Sequence, residues 1–418
     1  MSGALAATAL FGQDAAARQR AALKFTTLIL FACLILQRFG LPFGGGKSFS
    51  VVGPIGLALA GWGVLTGTLA FDRNRLAAYV ALVALALAGV AWHAMHPGGP
   101  MGEVSMISLY QFLLLTAFAT VTFAEPVEER RFFHEVNRWF AVVAVAGVLQ
   151  FLLQFVGLKV FAFDGIFPAS ILFEFGYNSA IPTGIGDTLK SNGLFLVEPS
   201  VFSQVMALAL IIEVLALRRV AFLALFTTGF LMSFAGTGWI VLASFVAAAA
   251  LALGWRGIAI AAGILVVGTV VMAIVLTLAP DVGGAIGARM DEISRPATSG
   301  HLRFITPFWA MSDALAIEPS AAFIGVGGGV SERMPLAYEY DVNTPVKIAL
   351  EYGFPALLAY VALFVLGAKS MVQRAILVPV LVMCFVTGAY QQFPPVLFMV
   401  LLLVSVARLR ADPAPAPR

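Results

Sequence analysis

Three short stretches of this sequence carry residues that could do chemistry. SNGLFLVEPSVFSQV (191–205) sets one carboxylate, Glu198, directly before Pro199 and Ser200 at the head of a long apolar run, with the cation Lys190 just upstream. An ionisable group beside a low-dielectric region marks a functional site by default. Its structural counterpart is a solvated helix cap at the positive end of a helix dipole. SGHLRFITPFW (299–309) carries His301, Arg303 and Trp309. Arginine's planar fork suits a phosphate or diphosphate, and the alternative is a solvated arginine on a loop helix. DVNTPVKIALEYGFPALL (341–358) leads a polar pair, Asp341 and Asn343, straight into another apolar run. Asn343 is also a good helix cap.

Other patterns carry less. GGGKS (44–48) looks like the end of a phosphate-binding loop, but Leu41 stands where the pattern needs glycine and no strand precedes it. GVGGGV (325–330) lacks the strand and helix of a dinucleotide site and reads as a tight turn. His93 and His96 flank a turn without acidic partners, so no metal site and no cofactor are expected. Cys33 and Cys384 sit in separate apolar blocks and read as small buried hydrophobes.

These residues must be positioned by apolar elements. Of 418 residues, 61% are hydrophobic and 11% charged, where a soluble domain is nearer half and a quarter. The excess falls in blocks of roughly 17–24 residues, a bilayer's length. The chain therefore reads as an all-α polytopic integral membrane protein, a single transmembrane domain over 1–418 with about 12 spans. Their approximate extents are 23–41, 51–71, 76–92, 105–124, 139–160, 194–217, 220–235, 237–254, 257–279, 345–367, 375–388 and 391–407.

Arginine and lysine set the orientation. With the N-terminus inside, Arg18, Arg20, Lys24, Arg73, Arg75, Arg130, Arg131, Arg138, Arg218, Arg219, Arg256, Lys369, Arg374, Arg408 and Arg410 all face the cytoplasm. Both termini are then cytoplasmic. The net charge of +3 marks topology, and no nucleic-acid partner is expected. The N-terminus lacks the layout of a cleaved signal. Two external segments result, 161–192 and the large loop 280–344 between spans 9 and 10. The second contains a helix, HLRFITPFWAMSDALAI. The proline-rich tail 411–418 reads as disordered.

Within 191–205 the backbone is legible. A residue before proline avoids the α region, whereas proline is tolerated in a helix's first turn. The helix is expected to begin at Pro199, with Glu198 at its mouth. Residues 199–217 would then span about 28 Å at 1.5 Å per residue. Gly193–Val197 becomes an apolar, non-helical lead-in, tolerable only where protein buries it or it lines a cavity.

Four segments, in order, resemble the O-antigen ligase and O-antigen polymerase superfamily of bacterial inner-membrane enzymes: KSNGLFLVEPSVFSQ (190–204), LMSFAGTGWIVL (231–242), SGHLRFITPFWAMSDALAIEPSAAFIGVGGG (299–329) and NTPVKIALEYGFPALL (343–358). They cover roughly the half from 190 to 360. The family often has an arginine in the short central turn, which here reads AGTG, and ligases often carry a histidine where Val342 stands. Both departures favour the polymerase over the ligase.

The resemblance implies a GT-C-like membrane glycosyltransferase that needs no metal. Its donor is a glycan on undecaprenyl diphosphate at the outer face. Partners would be the lipid bilayer and, for a polymerase, chain-length regulator and export proteins. Arg303 and Lys190 would hold the diphosphate, and Glu198 would take the acceptor proton. His301, Trp309, Asp341 and Asn343 would contact substrate, Trp309 by stacking on a sugar face. The product would be a surface polysaccharide or exopolysaccharide. A ligase joining a finished chain to a lipid or protein acceptor is the second reading. A secondary transporter or lipid-linked oligosaccharide flippase is the rival from another class, although the chain shows no inverted pair of broken helices.

Overall fold

The computed structural model describes residues 2–42, 48–96, 103–163, 166–173, 180–255, 298–386 and 393–410, with scattered positions between 258 and 296. These residues are mostly helical. The first half holds α1 (Ser2–Ile35), α2 (Val52–Leu65), α3 (Arg73–Met95), α4 (Met106–Thr116) and α5 (Glu129–Leu153). The centre holds α6 (Pro199–Ile212), α7 (Val220–Met232) and α8 (Thr237–Leu253). Three short helices follow, α9 (Ser299–Phe304), α10 (Thr306–Ile317) and α11 (Ala321–Ile324). The last four are α12 (Thr344–Tyr352), α13 (Phe354–Val365), α14 (Met371–Val386) and α15 (Pro394–Leu401). Strands are two or three residues long and pair in twos, Gly40–Pro42 with Ser48–Ser50, Leu69–Phe71 with Val121–Phe123, and Val127–Glu128 with Leu409–Arg410.

Among the described residues, three helical segments are long and apolar enough to cross a membrane: Arg73–Met95, Glu129–Val156 and Pro199–Leu217. Shorter apolar helices surround them. Burial is distributed as lipid solvent requires. Every residue of α6 is buried except Ser200 and Leu210, which fits a helix apolar all round. It packs against α5, α7, α8 and α14. Outer faces are apolar yet exposed, as at Leu76, Val80 and Leu87 on α3 and Val142, Val145 and Leu149 on α5. A separate apolar cluster, including Ala310, Ala314, Ala321, Val330, Val342 and Leu350, joins α10, α11, the glycine-rich loop and α12.

Among the described residues a helix overlaps the expected spans, and most of 257–279 lies outside them. So do most of 280–297, the tail 411–418 and residues 44–47 of GGGKS. Several boundaries differ from the sequence reading, and three of them bear on the candidate site or its packing. α5 begins at Glu129 and not at 139, because its first turns are amphipathic and hydropathy alone misses them. HLRFITPFWAMSDALAI is two helices broken at Ile305, with Pro307 in the first turn of the second. The span 345–367 breaks at Gly353, whose φ of +86° ends α12. A Cβ there would lie 2.3 Å from the Phe323 carbonyl oxygen.

Candidate functional site

The lead-in to α6 is irregular and buried. Gly193 and Leu194 both take positive φ, +70° and +63°. The chain then extends through Glu198 (φ −141°, ψ 153°), and the helix starts at Pro199 as expected. Irregular backbone in an apolar setting needs internal partners. Gln150 supplies several: its Oε1 accepts from the Asn192 and Leu194 N–H groups at 3.1 and 3.3 Å, and its Nε2 donates to Asn192 Oδ1 at 2.9 Å. Arg38, fully buried just beyond α1, donates from Nε to the Leu196 carbonyl and from Nη2 to the Phe161 carbonyl, both at 3.0 Å. Its guanidinium lies 4.8 Å from the centre of the Phe163 ring. Gln37 accepts from the Val197 N–H at 3.4 Å. None of these polar side chains stood out in the sequence, because each is a lone residue beside an apolar run.

Glu198 itself is partly exposed and makes no capping bond to the α6 backbone. Its carboxylate accepts from Ser200 Oγ at 2.5 Å. The central turn docks against this first helical turn. Thr237 Oγ1 donates to the Ser200 carbonyl at 3.1 Å, and the Gly238 N–H donates to Ser203 Oγ at 3.1 Å. A Cβ at Gly238 would fall 2.6 Å from the Ser203 carbonyl oxygen, so AGTG is a close-packing turn. Lys190 is only 5% exposed, and its N–H donates to the Ile181 carbonyl at 2.8 Å. It is a buried cation, whereas the sequence placed it on an external loop.

A second cluster forms on α9, α10, the following loop and the start of α12. Asp341 is reachable by solvent yet surrounded by protein. That desolvation pushes its carboxyl above the usual range. The Val342 N–H at 2.8 Å and the charge of Arg303 oppose the shift, Glu332 adds to it, and Lys347 opposes it. The geometric link to the helices is the Asp341 N–H, which donates to Thr306 Oγ1 at 3.4 Å, three residues beyond Arg303. An aromatic row runs alongside. His301, nearly buried, meets Trp309 edge-on at 5.3 Å; Trp309, half exposed, meets Tyr338 at 6.1 Å; Tyr338 meets Tyr340 at 6.3 Å. The Tyr338 hydroxyl donates to Asp313 at 2.7 Å.

Asn343 caps α12, accepting from the Val346 N–H at 3.2 Å. One turn on, buried Lys347 pairs with Glu351 at 3.1 Å and also with Glu332, and Ser331 Oγ donates to Glu351. The sequence reading passed over this pair, whose i, i+4 spacing on a helix was the available signal. The glycine-rich loop closes over the same helix. The Val326 N–H donates to the Leu350 carbonyl at 2.6 Å and the Gly327 N–H to the Glu351 carbonyl at 3.1 Å. Those amides satisfy the last carbonyls of α12, so GVGGGV is the tight turn expected of it. His93 Nε2 bonds the Gly325 carbonyl oxygen at 3.0 Å, and His96 stacks on Trp92.

The structure therefore joins His301 to Trp309 and ties the Asp341 backbone to Thr306 of α10, while Asn343 serves as the cap of α12. Glu198 and Lys190 belong to the α6 lead-in. α14 packs against both α6 and α12 and so braces the two clusters. No family model and no curated protein matches this sequence.

Proposed function

We propose that this protein is a multi-pass enzyme of the bacterial inner membrane that polymerises polyprenyl-diphosphate-linked oligosaccharide units at the outer face. On this reading the chain has twelve spans, a GT-C-like architecture and both termini in the cytoplasm. The acceptor hydroxyl attacks the anomeric carbon, the bond from that carbon to the diphosphate oxygen breaks, and the diphosphate leaves with the electron pair. Glu198 takes the hydroxyl proton. Arg303 balances charge developing on the phosphate, with Lys190 as the second cation. The observation that carries the reading is the partly exposed aromatic row His301–Trp309–Tyr338–Tyr340, suited to sugar faces, on the same segments that hold Arg303 and, through its N–H to Thr306, Asp341.

The test is Arg303→Ala and Arg303→Lys in strains matched for protein level, read as polymer yield and length. Loss of one charge-assisted contact in a desolvated site costs about 2–4 kcal/mol, roughly thirty- to several-hundred-fold in rate. Lysine keeps the charge but not the fork, so its variant falls between wild type and alanine. Wild-type polymer from Arg303→Ala would remove Arg303 from the reaction. The buried Lys347–Glu351 pair favours one other reading, a secondary transporter, since charges inside membrane helices mark ion and substrate paths. Transport of labelled lipid-linked oligosaccharide without chain extension would select it.

A further inference from the structure

The backbone at the head of α6 is held from both sides. Upstream, Arg38 donates to the Leu196 carbonyl and Gln37 accepts from the Val197 N–H. Downstream, the Glu198 carbonyl accepts from the Phe202 N–H at 3.1 Å, the first bond of the helix. The Ser200 carbonyl accepts from two hydroxyls, Ser203 Oγ at 2.7 Å and Thr237 Oγ1 at 3.1 Å. Ser203 belongs to α6 and is fully buried, whereas Thr237 opens α8. The backbone that carries Glu198 and Ser200 is thus fixed by three separate elements, and only the side chains remain to be placed.

Glu198 takes the cap position of α6 with its backbone but not with its side chain. A capping side chain accepts from an amide of the first turn. The Glu198 carboxylate instead accepts from the Ser200 hydroxyl, through Oε2 at 2.5 Å. That bond satisfies no amide of the helix end, so helix stability does not account for it. What it does fix is the direction of the carboxylate. A glutamate arm turns about three side-chain bonds, and holding its tip in one place needs a contact that offsets the lost freedom. Among the described residues no donor reaches the other oxygen, Oε1. Both side chains are partly exposed, so an incoming hydroxyl can reach that oxygen.

We propose that Ser200 is a positioning residue for Glu198: its hydroxyl holds Oε2 and so turns Oε1 toward the acceptor hydroxyl. The inference rests on Glu198 being the proton acceptor of the proposed function. Ser200 keeps its own proton throughout; the O–H bond of the acceptor breaks, and the new O–H bond forms on Oε1. The test uses the full chain in liposomes with a synthetic polyprenyl-diphosphate oligosaccharide, read as kcat and KM for chain extension per folded enzyme. Ser200→Ala lowers kcat about ten- to a hundredfold and leaves KM unchanged, because the lost bond acts on the base and not on substrate binding. Ser200→Thr keeps the hydroxyl and recovers most of kcat. In Glu198→Asp the arm is one methylene shorter and the bond to Ser200 is already lost, so adding Ser200→Ala there lowers kcat by about twofold or less. Wild-type kcat in Ser200→Ala, an equal fold-loss in the two backgrounds, or a Ser200→Thr variant as slow as Ser200→Ala would each overturn the positioning role while leaving Glu198 as the base. Wild-type kcat in Glu198→Gln would remove the base itself, and the role of Ser200 with it.

Discussion

Glu198 accepts from Ser200 and makes no capping bond to α6, so its two possible roles separate on one isosteric change. Glu198→Gln is expected to accumulate normally, because no cap is lost, and to leave lipid-linked repeat units unextended. Glu198→Asp keeps the base but misplaces it and retains a fraction of the activity. Gels of lipid-linked intermediates and polymer decide the matter; full-length product from the Gln variant moves the base to Asp341 or His301. Asp341 gives a pH signature. Its folded pKa is raised, so its favourable contribution is complete below the unfolded value, about 3.9, and is lost as pH rises through the folded value. Asp341→Asn should unfold at the wild-type temperature near pH 4 and at a higher temperature near neutrality. The reverse order in detergent melting curves would mean that Arg303 outweighs desolvation. Among site residues, those in contiguous polar stretches (His301, Arg303, Asp341, Asn343) were legible. Arg38, Gln37 and Gln150 were not, because their backbone partners lie far along the chain and only the fold reveals that backbone there needs them.

Elements were legible where one local rule dominates. Pro199 sets the start of α6 because the residue before proline leaves the α region. The break at Gly353 went unread although Gly353 followed by Pro355 is a helix-stop pattern; there the Phe323 carbonyl of α11 comes close to the backbone. The same close approach recurs at Gly325, with φ +73° and a Cβ position 2.3 Å from the Glu351 backbone. Gly325→Ala is therefore expected to cost roughly 1–3 kcal/mol and to loosen α12 from the loop. Gly61, within α2 with open space around it, is the contrast: Gly61→Ala should gain about 0.5–1 kcal/mol. Thermal unfolding of the two purified variants compares them directly. Equal melting temperatures would show that the 325–329 turn relaxes freely.

For the whole molecule, burying most of α6 and exposing apolar residues on α3 and α5 fits the membrane character that composition suggests. Orientation awaits measurement. Reporter fusions after Glu318 and after Arg410 are expected to read outside and inside respectively; an inside signal at Glu318 would put Arg303 and Asp341 on the wrong face for a lipid-linked donor. Arg38 adds a matter of timing. Its acceptor at Leu196 is made 158 residues later, which at about 5–20 residues per second is a wait of roughly 8–30 s on the ribosome. Until then the arginine just beyond α1 lacks its bond to the Leu196 carbonyl, although the Phe161 carbonyl is made 123 residues after it. The first helix is thus inserted provisionally and becomes committed only when the sixth arrives, so ribosome stalling between residues 38 and 196 should expose α1 to membrane proteolysis while stalling beyond α6 should protect it.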